Sequence, residues 1–156
     1  MPAAKPFVIA VDGRSGAGKT TLAVELAALL RAHRSVSLFH LEDIYPGWGG
    51  LADGQRRYRE TVLKPLAAGR PAAWTSWDWQ QGADGSARTT EPAEVVLLEG
   101  VGAAHADARD FLDAVVWIEA GSAERRRRAL ARDGAGYEPY WDLWAAQEDA
   151  WLAEDD

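Results

Sequence analysis

Apolar residues gather in four short runs separated by longer stretches of mixed polarity. "PFVIAV" (6–11), "SVSLFHL" (35–41), "EVVLLEG" (94–100) and "AVVWIEA" (114–120) are rich in Val, Ile and Leu; the first stops at Asp12-Gly13, and the last two close on an acid followed by a small residue. That pattern predicts strands buried on both faces. After the first run and Asp12-Gly13, Leu22, Leu26, Leu29 and Leu30 recur at i, i+4, i+7 and i+8, which predicts a helix from about Lys19 to Ala32. Strands alternating with helices predict an α/β fold: a parallel sheet with helices on both faces, a three-layer αβα sandwich.

The middle of the chain, about residues 44–93, breaks this rhythm and reads as an insertion over the top of the sheet. "GQRRYRETVLKPLAAG" (54–69) has Tyr58, Val62, Leu63 and Leu66 on one side of a helix whose end Pro65 disturbs. "RPAAWTSWDWQ" alternates as an extended ribbon, and "QGADGSARTTEP" reads as a polar loop. After the fourth strand, "SAERRRRALARD" (122–133) opens with a capping serine and an early glutamate, as a helix does. "PYWDLWAAQEDAWLAEDD" predicts a last helix with an acidic tail.

With 156 residues, 47% hydrophobic and 26% charged, the chain has the size and balance of a single globular domain. The absence of cysteine excludes disulfides, thiol chemistry and cysteine-bound zinc. The five apolar residues after Pro6 are too few for a signal peptide or a membrane span, so the expected location is the cytoplasm. A net charge of -7 argues against nucleic-acid partners, which select a basic surface. A small anion can still bind locally.

Gly13-Arg14-Ser15-Gly16-Ala17-Gly18-Lys19-Thr20 fits G-x-x-x-x-G-K-[ST] between the first strand and its helix. Such a P-loop wraps backbone N–H groups and a helix N-terminus around phosphate, from Gly13 through Ser15, Gly16, Ala17 and Gly18 to Thr20 and Thr21. Lys19 then reaches the β- and γ-phosphates, and the Thr20 hydroxyl sits on Mg²⁺. The sequence contains no asparagine, so the guanine-reading Asn-Lys-x-Asp pattern is absent and ATP is the expected donor. At the end of the second strand, "HLEDIYPGW" puts Glu42 and Asp43 where α/β proteins bind ligands, and either carboxylate could take a proton from an attacking hydroxyl. Tryptophans flanking Asp78 suit both stacking on a planar ring and simple packing onto the sheet. Arg125, Arg128 and Arg132 share one helix face.

"GRSGAGKTT", "LEDIYPG", "VLKPLAAGRPAAWTSWDW", "VVLLEGV" and "ERRRRALARD" occur in the order and spacing of the uridine kinase family, over about residues 5–135. The chain resembles that family, which is similar to bacterial pantothenate kinases and phosphoribulokinases. The resemblance implies a P-loop NTPase fold and ATP- and Mg²⁺-dependent phosphorylation of a small-molecule hydroxyl. It implies a base at Glu42 or Asp43 and nucleoside contacts from Tyr45, Trp77, Asp78 and Trp79. Glu99 would help Thr20 hold Mg²⁺, and Arg125, Arg128 and Arg132 would belong to a lid over about 122–137 that meets the transferring phosphoryl group. Family members add a fifth strand after the lid, in whose place this sequence has an acidic helix. The open sheet edge fits a monomer or a homodimer. Two other readings share these residues: a nucleotide-binding module without kinase activity, and a kinase for a sugar, pantothenate or an antibiotic.

Overall fold

The structure is a computed structural model that describes residues 5–155. Its strands are β1 (Phe7–Gly13), β2 (Val36–His40), β3 (Ala72–Asp78), β4 (Ala83–Thr90), β5 (Val95–Glu99) and β6 (Ala114–Ile118). Its helices are α1 (Lys19–Arg31), α2 (Leu51–Tyr58), α3 (Lys64–Ala67), α4 (Ser122–Asp133) and α5 (Trp141–Glu154). The four apolar runs form one parallel sheet in the order β2-β5-β1-β6, with β1 in register Phe7↔Val95 to Val11↔Glu99 against β5. No fifth strand joins this sheet among the described residues.

Alternation along the strands divides the core into two layers. Val11 and Leu97 face one way and meet Ala23 and Ala27 of α1, with Leu22 and Leu26 alongside. Val8, Ala10, Phe39, Val96 and Leu98 face the other way and meet Tyr58, Val62, Leu63 and Leu66, with Trp141 and Trp144 of α5 in the same cluster. All five residues of β5 are buried, as expected of a strand in mid-sheet. On edge strand β6, Val115 and Trp117 are exposed.

Two expectations for the insertion need correction. The helix starts at Leu51 rather than Gly54, and the disturbance expected at Pro65 falls just ahead of it. A wide turn over Arg59–Leu63 precedes α3, and Pro65 sits in the first turn of α3, where its missing N–H matters least. The stretch expected as a polar loop is instead β4, which pairs antiparallel with β3 from Ala72↔Thr90 to Asp78↔Ala83. The ribbon read at 70–80 is therefore half of a hairpin. At its tip, Asp78 Oδ1 accepts the N–H groups of Gln80 and Gln81 at 2.9 and 3.0 Å.

The segment after β5 is fixed from both sides. Tyr45 and Tyr58 donate to the carbonyls of Val101 and Ala103, while the Asp12 carboxylate accepts the N–H groups of Gly102 (2.9 Å) and Ala104 (2.8 Å). Four successive residues thus have a backbone polar group satisfied by a side chain in the interior. No described helix is long and apolar enough to cross a membrane.

Candidate active site

Parallel strands bring their carboxyl ends to one edge of the sheet, and the side chains that carry chemistry meet there. A cavity of about 630 Å³ opens at this edge. It is lined by Ser15, Gly16, Lys19 and Thr20 from the loop and α1, by Glu42, Asp43 and Tyr45 after β2, by Glu99 and Gly100 at the end of β5, and by Arg132, Asp133 and Tyr137. Trp48, Trp79 and Trp144 complete it. A groove of similar size lies among Pro6, Phe7, Leu30 and Pro92 at the opposite ends of the strands, away from the glycine-rich loop.

The loop turns into α1 at Gly18 (φ 102°), so the helix N-terminus faces the cavity. Lys19 is buried and donates from Nζ to the Arg14 carbonyl at 2.9 Å. Burial pushes its pKa down, opposed by the charges of Glu99, Glu148 and Asp12. Register places the ends of β1, β2 and β5 side by side, with His40 opposite Glu99. Glu99 Oε1 therefore receives the Thr20 hydroxyl at 2.9 Å and lies 2.6 Å from His40 Nδ1, and that contact raises the histidine's pKa. Among the described residues no three His, Cys, Asp or Glu side chains form a metal cage. Mg²⁺ needs none when phosphates supply the other ligands, and the hard oxygens of Thr20 and Glu99 fit that mode.

Glu42 and Asp43 sit in the short turn after β2 (Leu41–Asp43). Burial raises both pKa values; for Glu42, Arg132 opposes the shift most. Both acids face the cavity, and no contact distinguishes one as base. Trp79 Nε1 donates to the Glu42 carbonyl at 2.9 Å, tying the hairpin tip to this turn.

The other expected residues divide. Tyr45 and Trp79 line the cavity, whereas Trp77 lies against Gly47 and Asp78 caps its own turn. Arg132 lines the cavity and pairs with Asp133 at 2.9 Å. Arg128 pairs with Glu124 at 3.0 Å and lies near Gly18. Arg125 is buried and donates to the carbonyls of Ala120 (3.0 Å) and Ser15 (3.4 Å), so it joins α4 to the loop.

Trp48 was not among the residues expected from the sequence. It stacks on Tyr140 with centroids 5.1 Å apart and planes at 6°, and it also touches Trp79 and Tyr137. The Tyr137 hydroxyl donates to Ser15 Oγ at 2.7 Å. Gln147 of α5 donates to the Trp48 carbonyl at 2.5 Å and accepts the Leu51 N–H at 3.1 Å. The insertion and the segment between α4 and α5 thus meet in one aromatic cluster over the cavity. Its sequence signal is the density of aromatics in "YPGW" and "GYEPYWDLW".

In sequence, the chain is 26% identical over 144 residues to a uridine kinase of Lactobacillus helveticus (strain DPC 4571), covering 83% of this chain and 68% of that protein. In fold, it matches a possible uridine kinase from Bacillus stearothermophilus with a TM-score of 0.71 at 23% identity, over 99% of this chain and 85% of the other. The chain resembles the uridine kinase-like P-loop kinases. A kinase of Silicibacter sp. TM1040, assigned provisionally to a fructose transport system, shares the fold with a TM-score of 0.66 at 17% identity, over 93% of this chain and 81% of the other. No family model matches the chain.

Proposed function

We propose that this chain transfers the γ-phosphoryl group of ATP to a hydroxyl of a small ring-bearing acceptor, with a nucleoside such as uridine the first candidate. The observation that carries the reading is one cavity lined both by the Lys19–Thr20 end of the glycine-rich loop and by the Glu42–Asp43 pair. Lys19 has three donors, so its ammonium can keep the Arg14 carbonyl and still hold the β- and γ-phosphates. Thr20 and Glu99 would hold Mg²⁺, which would neutralise phosphate charge. Glu42 or Asp43 accepts the proton of the attacking hydroxyl, and their raised pKa values bring them nearer to the pH at which a general base works best. Arg132 lines the same cavity and its charge acts on both Lys19 and Glu42, so its guanidinium can meet negative charge on the transferring group. Trp48 and Trp79 offer aromatic surface to a ring, and the name of the Lactobacillus relative points to a nucleoside.

The test is ADP formation from ATP and Mg²⁺ with nucleosides, pantothenate and simple sugars, for wild type, Lys19→Ala and Glu42→Gln. Acceptor-dependent turnover is expected, lost in Lys19→Ala and reduced at least about 100-fold in whichever of Glu42→Gln and Asp43→Asn removes the general base. If Glu42→Gln keeps full rate while Asp43→Asn loses it, the base is Asp43. Turnover independent of every acceptor, or unaffected by Lys19→Ala, would overturn the proposal.

A further inference from the structure

Glu148 on α5 is 1% exposed and lies on the same helix face as Trp141 and Trp144. A carboxylate on a buried face persists only when paired and hydrogen-bonded. Its partners come from the glycine-rich loop. Oε2 accepts the Ser15 N–H at 2.7 Å, Oε1 accepts Arg14 Nε at 3.1 Å, and Arg125 Nη1 is 4.0 Å away. Arg14 Nη2 also donates to Asp149 at 2.5 Å and to the Ala145 carbonyl at 3.2 Å. One helix therefore grips both residues at the start of the loop.

The Ser15 N–H and the Arg14 carbonyl belong to one planar trans peptide unit and point to opposite sides of it. Glu148 takes the N–H on one side, and Lys19 Nζ donates to the carbonyl on the other at 2.9 Å. Arg14 and Arg125 counter part of the carboxylate's charge, and its bond to the Ser15 N–H fixes the orientation of this peptide. We propose that Glu148 is a positioning residue of the nucleotide site: by holding the Ser15 N–H it sets the plane of the Arg14–Ser15 peptide, and with it the carbonyl that orients Lys19. The proposal rests on Gly13–Thr21 being a phosphate cradle. It makes α5 part of the nucleotide site although the helix supplies no phosphate ligand.

The experiment is calorimetric titration of a non-hydrolysable ATP analogue with Mg²⁺, at a temperature where melting curves show each protein folded. Glu148→Ala is expected to bind about 10- to 100-fold more weakly, the scale of a displaced binding group. Glu148→Gln keeps an oxygen for the Ser15 N–H and is expected to recover at least half of that loss on a logarithmic scale. Arg109→Ala provides the comparison for general loosening of α5, because Arg109 ties Asp155 at the far end of the helix to the Ala104 carbonyl. It should lower the melting temperature and leave affinity unchanged. Undiminished or tighter binding by Glu148→Ala, equal losses in the alanine and glutamine variants, or an equal loss in Arg109→Ala each overturn the proposal. Should Glu148→Ala not fold, a loss in Glu148→Gln of about threefold or more with Arg109→Ala unchanged supports it, and no loss overturns it. A wild type that does not bind the analogue overturns the phosphate-cradle reading and this proposal with it, whereas binding without acceptor turnover removes only the kinase reading.

Discussion

Replacing Asp12 by asparagine separates the charge of a buried carboxylate from its hydrogen bonds. Asp12 is 1% exposed and accepts the N–H groups of Gly13, Gly102 and Ala104 at 2.6, 2.9 and 2.8 Å. Burial nevertheless pushes its pKa from 3.8 up to about 6, outweighing those three bonds and the nearby Lys19 charge. Because the folded value is the higher one, the native chain keeps a proton that the unfolded chain has released between about pH 4 and 6. The stability contributed by this group is complete below the unfolded pKa and is lost as pH rises through the folded one. Between pH 5 and pH 7 the loss comes to about 1.3 kcal/mol, at about 1.36 kcal/mol per pKa unit and allowing for partial ionisation at both ends. Asparagine has no such dependence. It also places an amide NH₂ among three N–H donors, which costs about 1–3 kcal/mol at every pH. Urea unfolding of both proteins at pH 5, 6 and 7 measures the gap between them, and the shared contributions of Glu42, Asp43 and the other carboxylates cancel in the difference. The gap should narrow by about 1.3 kcal/mol from pH 5 to pH 7. A constant or widening gap would refute the reasoning.

Gly16→Ala should cost about 2–5 kcal/mol, because Gly16 has φ +82° and a Cβ there would lie 2.2 Å from the Arg125 carbonyl oxygen, a backbone atom that cannot swing aside. Gly18→Ala, at φ +102° with its nearest neighbour, the tip of Arg128, at 3.8 Å, carries only the backbone strain, so thermal melting should rank Gly16→Ala the less stable of the two. Tyr58→Phe removes the 2.8 Å bond to the Ala103 carbonyl in the buried segment after β5 and should lower stability by about 1–2 kcal/mol, read as a melting shift of roughly 3–6 °C.

The central sheet is legible because its strands are buried on both faces and need no partner to announce themselves: β1, β2, β5 and β6 begin and end within a few residues of the apolar runs that predict them. Strand β4 carries no such signal. "ADGSARTT" is exposed at every position but the last, and it is a strand only because its backbone pairs with β3. On the opposite strand Trp74 is buried and donates from Nε1 to Thr90, so the burial that organises the hairpin is written on one strand alone. Asp78 also reads differently in sequence and in structure. An acid between two tryptophans has the composition of a binding site, yet its carboxylate closes the hairpin turn two and three residues on.

The same contrast runs through the candidate site. The glycine-rich loop can be read locally, because contiguous residues carry its strand, its turn and the start of its helix. What holds the loop is not contiguous: Glu148 lies 133 residues from Ser15, and Tyr137 lies 122 residues from it. A trace of this was present in the sequence. On the helix face that carries Trp141 and Trp144, the position one turn further is an acid, and an acid on a buried stripe requires a cation or an N–H to receive it. Periodicity can locate that demand, but only the fold shows which segment meets it. Here that segment is the start of the loop that carries Lys19, which is why a residue with no motif of its own sits where it can set the geometry of the one that has.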